Sequence, residues 1–168
     1  MDNALSMAFP RIGANLQRTA IASVPTPVTS HAVSLPCGTR NIMVKHDEAT
    51  NDVYGGNKVR KLEYLLRRAS DRDAQRIATF GAVGSNHALA TAIHANHLGF
   101  ECTCFLSHQK ATPNIPRTLN MHRELGTELV RWGRATDHLN LYRRYLQHRN
   151  TWVIPLGGTC WLGAVGFV

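Results

Sequence analysis

A chain of 168 residues is long enough for one domain with a proper core, burying roughly 70% of the surface its unfolded form exposes, and a hydrophobic content of 43% is ordinary for a globular protein. The formal net charge of +8 raises the question of nucleic acid, but Arg67, Arg68, Arg72, Arg117, Arg123, Arg143 and Arg144 scatter over predicted helix faces without interleaved aromatics, so no nucleic-acid partner is expected. No apolar run approaches the ~20 residues that span a bilayer, no basic segment followed by an apolar stretch opens the chain, and the four cysteines include no CxxC pair; the expectation is a cytoplasmic protein with reduced thiols, no membrane partner and no metal.

Residues 1–40 read as irregular, broken by Pro10, Pro25, Pro27 and Pro36, with Pro25–Val28 extended because each proline biases its predecessor away from the helical region. Asn41–Lys45 reads as a short strand and Asp47–Asn57 as a polar loop rich in glycine at its end. A helix is predicted from Lys58 to Ala69 with Asn57 as its N-cap. Val59, Leu62, Leu66 and Ala69 form its apolar stripe, leaving Arg60, Glu63 and Arg67 for solvent. Its first turn carries Lys58, Arg60 and Lys61, although the partial positive charge of a helix N-terminus favours acidic residues there. A segment that breaks a local rule marks a candidate functional site.

From residue 76 strand and helix alternate. Strands are predicted at Arg76–Phe80, Phe100–Leu106 (with Cys102 and Cys104 on one face), Glu128–Trp132 and Thr151–Pro155. Helices are predicted from the Ser85-Asn86 cap to Leu98, closed by Gly99, over Asn114–Leu125 with Pro116 in the first turn and Gly126 after the last, over Asp137–Arg149, and from about Leu162 onward. This rhythm predicts an α/β fold with a parallel sheet and right-handed crossovers, whose ligands bind at the carboxyl rim of the strands. The turns Gly81–Ser85 and Gly157–Gly163 both open on that rim and both lead into a helix N-terminus, which favours an anion.

Singly these features are commonplace: Lys58 could be a surface lysine, Ser85 and Asn86 mere caps, and the glycine turns flexible loops lacking the GxGxxG spacing. In order, however, Phe9–Arg11 (FPR), Pro25–Val28 (PTPV), Gly55–Leu66 (GGNKVRKLEYLL), Ser85–Ala88 (SNHA) and Gly157–Val168 (GGTCWLGAVGFV) resemble the fold type II pyridoxal-phosphate enzymes, the tryptophan synthase beta-like group, and within it the D-cysteine desulfhydrase and 1-aminocyclopropane-1-carboxylate deaminase family. The resemblance implies an α/β three-layer parallel-sheet fold, incomplete here, with residues 1–70 belonging to the large cofactor domain, 71–156 to a small α/β domain and 157–168 to the phosphate loop and the start of a return helix. It implies pyridoxal 5'-phosphate as cofactor, a small amino acid as substrate and association into a homodimer.

On the same resemblance Lys58 is the residue that forms a Schiff base with the cofactor, and Lys61 is a neighbouring charge that lowers its pKa. Asn86 bonds the cofactor's ring oxygen, and Ser85, Asn86 and His87 hold the substrate, Ser85 also serving in proton transfer. Gly158, Thr159, Leu162, Gly163 and Ala164 cradle the phosphate. The SNH and LGA segments favour a desulfhydrase, which converts D-cysteine to pyruvate, sulfide and ammonia. Family members are longer and carry in their second half the partner of the pyridine nitrogen and a catalytic tyrosine region, so this chain alone is expected to bind cofactor weakly and turn over little. The alternative is a non-catalytic α/β module that holds an anion or cofactor as an enzyme remnant.

Overall fold

The computed structural model describes residues 4–133, 137 and 150–167. Two short helices, α1 (Ala4–Ala8) and α2 (Pro10–Asn15), precede an antiparallel hairpin of β1 (Val28–Leu35) and β2 (Gly38–Lys45), and a 3-10 turn (Asp47–Thr50) leads into α3 (Asn57–Ser70). The main body follows: β3 (Arg76–Ala82), α4 (Asn86–His97), β4 (Glu101–Ser107), α5 (Ile115–Glu124), β5 (Glu128–Arg131), β6 (Thr151–Ile154), and a last helix α6 (Trp161–Val165) after a 3-10 turn at Leu156–Gly158. The predicted helix Asp137–Arg149 falls outside the described residues, apart from Asp137.

The sheet is parallel, in the order β5-β4-β3-β6, as the strand–helix alternation requires. Its two central strands are buried along nearly their whole length: Ile77, Ala78 and Thr79 of β3, and Cys102 to Leu106 of β4, which is the pattern of a parallel sheet covered on its faces. The edge strands β5 and β6 are more open. Helix α3 lays its stripe Val59, Leu62, Leu66 and Ala69 into the interior with no exposure at all, and Leu162 of α6 closes the same core. That core draws on residues from 5 to 162, so the two ends of the described chain are packed into one body.

Three expectations are corrected. Residues 28–45 are not irregular with one short strand. They form a two-stranded hairpin with Val28 opposite Lys45 and Leu35 opposite Gly38, whose residues are nearly all exposed. Asn57 is not the N-cap of α3 but its first helical residue. Gly56 holds the cap position at φ +115°, a region where a side chain is strained. Glu63 is not on the wet face but 3% exposed: its carboxylate accepts from Arg18 Nη1 at 2.7 Å and from the Ile21 and Ala22 amides at 3.1 and 3.0 Å. The buried carboxylate is thus fully paired, which burial of a charge demands, and it staples residues 18–22 to α3.

Candidate active site

Two glycines set the position of Lys58. A Cβ at Gly55 would lie 1.8 Å from the Glu48 carbonyl oxygen, so only glycine lets the loop pass that close. The Gly56 amide donates to the Asp47 carbonyl at 2.8 Å and to Thr50 Oγ1 at 2.9 Å, which pins the start of α3. Lys58 is then the second helical residue and half-buried. Its ammonium is held below the usual lysine range first by burial and second by the charge of Lys61, so desolvation outweighs the neighbouring cation on which the sequence reading relied.

Lys61, one turn further along, reaches the glycine loop. Its Nζ donates to the Gly157 carbonyl at 3.2 Å and lies 5.3 Å from the centre of the Phe167 ring. Gly157 and Gly158 are both left-handed, at φ +65° and +62°, and a Cβ on Gly158 would stand 3.2 to 3.5 Å from Leu65, Lys61 and His87. A Cβ on Gly163 would fall 2.2 Å from the Gly158 carbonyl oxygen, and one on Gly166 would fall 2.4 Å from the Arg60 carbonyl oxygen. Loop, α6 and α3 therefore meet backbone to backbone.

The second wall is the start of α4. Ser85 is its N-cap, with Oγ accepting from the Ala88 amide at 3.2 Å, while Gly81 leaves room for it: a Cβ there would lie 2.6 Å from Ser85 Oγ. Of the first-turn donors, the Ala88 and Leu89 amides bond back to Ser85. Those of Asn86 and His87 precede any intrahelical acceptor and are free for an anion. The His87 side chain, however, turns inward, 5% exposed, with Nε2 3.2 Å from Thr79 Oγ1. Thr79 gives its hydroxyl proton to the Ile154 carbonyl at 3.1 Å, so in this contact Nε2 is the donor, and the Pro155 carbonyl also faces the ring. Burial, with the charge of Lys58 next, pulls this imidazole down to about 4 against the opposing pull of the Pro155 carbonyl, so it is neutral at neutral pH.

The structure thus brings Lys58, His87 and Gly158 together around Lys61, and links Asn86 to the lead-in of α3 through the Tyr54 hydroxyl, 3.4 Å from Asn86 Oδ1. In the loop, Thr159 and Ala164 are exposed, whereas Leu162 and Gly163 are buried, so the latter two could reach a ligand only through their amides. The amides of Gly158, Thr159, Gly163 and Ala164 already bond within the loop; that of Leu162 stands before the first intrahelical acceptor. A cavity of about 590 Å³ lined by Arg76, Asn96, Glu101 and Thr127 lies under the opposite, amino rim of the sheet and takes no part in this arrangement. Tyr54, Thr79 and Glu63 were missed by the sequence reading; the one available signal was an aromatic residue directly before the Gly55-Gly56 pair.

Residues 20–166 match the family described as "Pyridoxal-phosphate dependent enzyme". The chain belongs to that family. Among curated relatives, this pyridoxal-phosphate family member is 36% identical over 136 residues to a putative 1-aminocyclopropane-1-carboxylate deaminase of Pyrococcus furiosus, covering 76% of the chain and 40% of the relative. It is 35% identical over 138 residues to a D-cysteine desulfhydrase of Salmonella paratyphi B, covering 77% and 42%. The crystal structure of an ACC deaminase homologue superposes with a TM-score of 0.77 at 26% identity, over 99% of this chain and 51% of that one, which gives the fold as the fold type II arrangement. The chain spans about two fifths of the length of these curated relatives. The residues present fit the family's cofactor: a half-buried amine of lowered basicity at Lys58 stands beside a left-handed glycine pair where a Cβ would be strained and crowded, and a helix N-terminus with two free amides flanks them.

Proposed function

We propose that this chain carries the cofactor-lysine portion of a pyridoxal-phosphate-dependent lyase or deaminase acting on a small amino acid, with D-cysteine and the chemistry of a desulfhydrase as the preferred assignment. The observation that carries the reading is Lys58: a half-buried amine at the wrong end of a helix for a cation, placed by Gly55 and Gly56 on the helix whose Lys61 bonds the loop that would hold a phosphate. When bound, pyridoxal phosphate supplies the electron sink that labilises bonds at the amino-acid α-carbon.

Several further tasks fall to residues of this chain. Burial and Lys61 keep a larger share of Lys58 in the unprotonated, nucleophilic form than a surface lysine would have. The Asn86 and His87 amides at the start of α4 hold the substrate carboxylate. Ser85, whose oxygen is fixed by the Ala88 amide, retains its own proton for transfer. Gly158, Thr159 and the Leu162, Gly163 and Ala164 turn surround the phosphate. The division into segments 1–70, 71–156 and 157–168 belongs to the same proposal.

Incubation with pyridoxal phosphate, borohydride reduction and peptide mapping test the reading. The expected outcome is a pyridoxyl label concentrated on Lys58 and lost in Lys58→Arg, which keeps the charge but not the amine. Label spread over exposed lysines such as Lys110, or no label at all, would leave the non-catalytic α/β module as the better account.

A further inference from the structure

We propose that Tyr54 is a positioning residue that fixes the side-chain amide of Asn86 with its nitrogen end facing the cleft, so that the site presents a hydrogen-bond donor there and selects an acceptor oxygen on the bound ring. This rests on the reading of the cleft as a pyridoxal-phosphate site.

Tyr54 is held at three points. Its amide donates to Asn51 Oδ1 at 3.1 Å, and Asn51 Nδ2 in turn donates to the Ile21 carbonyl at 2.9 Å. Its carbonyl accepts from Nε2 of the buried His94 at 3.0 Å. Its ring packs against the main core, which leaves the hydroxyl 3.4 Å from Asn86 Oδ1.

An asparagine amide carries two donors on nitrogen and an acceptor oxygen that look alike in shape, and its terminal torsion is soft. Some neighbour must therefore decide which end meets the ligand. The tyrosine hydroxyl is the neighbour within reach: it donates to Asn86 Oδ1 at 3.4 Å. With Oδ1 engaged, Nδ2 is the end left for the cleft. Burial raises the Tyr54 pKa above its ordinary value, so the hydroxyl keeps the proton it must donate. A separation of 3.4 Å is long for O–H···O, so the contact orients the amide rather than clamping it.

Tyr54→Phe removes only the oxygen and leaves the ring and both backbone bonds in place. In wild-type protein without cofactor, the Asn86 side-chain amide should give a resolved, shifted proton–nitrogen NMR pair. In Tyr54→Phe that pair should collapse to the values of a solvent-exposed asparagine. Pyridoxal-phosphate affinity should fall about fivefold and the visible band should move to shorter wavelength, because the ring oxygen loses an oriented donor, while borohydride labelling of Lys58 at saturating cofactor persists. Asn86→Ala should show the same loss, and the double variant no further one. A Tyr54→Phe protein with unchanged Asn86 amide signals, affinity and band position would overturn the proposal. If wild-type Lys58 takes no label, the cofactor reading fails, and the NMR pair alone then decides whether Tyr54 orients Asn86.

Discussion

His122, on α5, is fully enclosed, and among the described residues neither of its ring nitrogens finds a hydrogen-bond partner. Burial holds its imidazole down at about 4, so the folded chain excludes a proton that the unfolded chain takes up near 6.5. The folded pKa is depressed; above about 6.5 both states are neutral and stability is complete. As pH falls from 6.5 toward 4 the unfolded state protonates first, and stability drops by roughly 3 kcal/mol. His87, also held at about 4, adds a loss over the same window. Urea denaturation midpoints recorded between pH 7 and pH 4 should therefore fall steeply in wild-type protein and markedly less in His122→Leu, which also removes two unsatisfied polar atoms. Equal slopes in the two proteins would show that His122 is not buried neutral. Glu63 is the opposite case: a buried charge whose Arg18 and amide partners compensate it, where loss of one partner of a buried pair costs about 3–5 kcal/mol.

At the scale of elements, the tightest joint is that of the glycine loop with α6. Gly163→Ala would drive a methyl to 2.2 Å from the Gly158 carbonyl, and backbone cannot yield there as a flexible side chain could. Pyridoxal-phosphate titration should show at least a tenfold weaker binding, with a stability loss of about 1–3 kcal/mol from overpacking. Exposed Ser30→Ala on β1 should change neither, and a Gly163→Ala protein that bound cofactor as wild type does would refute the role of this joint.

The stripe of α3, the β3–α4–β4–α5–β5 order, the Ser85 cap and the left-handed Gly99 and Gly126 were all legible in the sequence, because each is written in local periodicity or turn chemistry. The β1–β2 hairpin was not, since its period-two apolar set, Val33 with Leu35 and Ile42 with Val44, is short and split between two strands that only their pairing brings together. Nor was the cap of α3: composition favours Asn57, but no side chain caps this helix and a φ of +115° selects Gly56. Lys58 could be singled out from a charge in the wrong place. Tyr54 could not, because its meeting with Asn86, 32 positions on, exists only in three dimensions.

The whole molecule has an enclosed side and an open one. Helices α3, α4 and α6 and the glycine loop bury their apolar residues, whereas the hairpin carries Leu35, Ile42 and Val44 at 43%, 46% and 39% exposure on one face, with Val33 beside them. An exposed apolar sheet face with free strand edges invites pairing. Sedimentation velocity across the micromolar range should show reversible self-association that Ile42→Glu combined with Val44→Lys suppresses; a wild-type chain that stays monomeric throughout would reject this, and with it the homodimer. Among the described residues no helix is long and apolar enough to cross a membrane.

The close approach of α6 to α3 also governs motion. With the Gly166 Cα against the Arg60 carbonyl and Lys61 tied to Gly157, the lysine helix and the loop cannot slide past one another without first separating two backbones. Lys58 and the loop therefore travel as one rigid piece. The other wall, the helix bearing Ser85 and Asn86, is tied to the lead-in of the lysine helix at both ends of Tyr54, whose hydroxyl reaches Asn86 Oδ1 at 3.4 Å and whose carbonyl accepts from His94 at 3.0 Å, so any widening of the cleft must strain both joints at once.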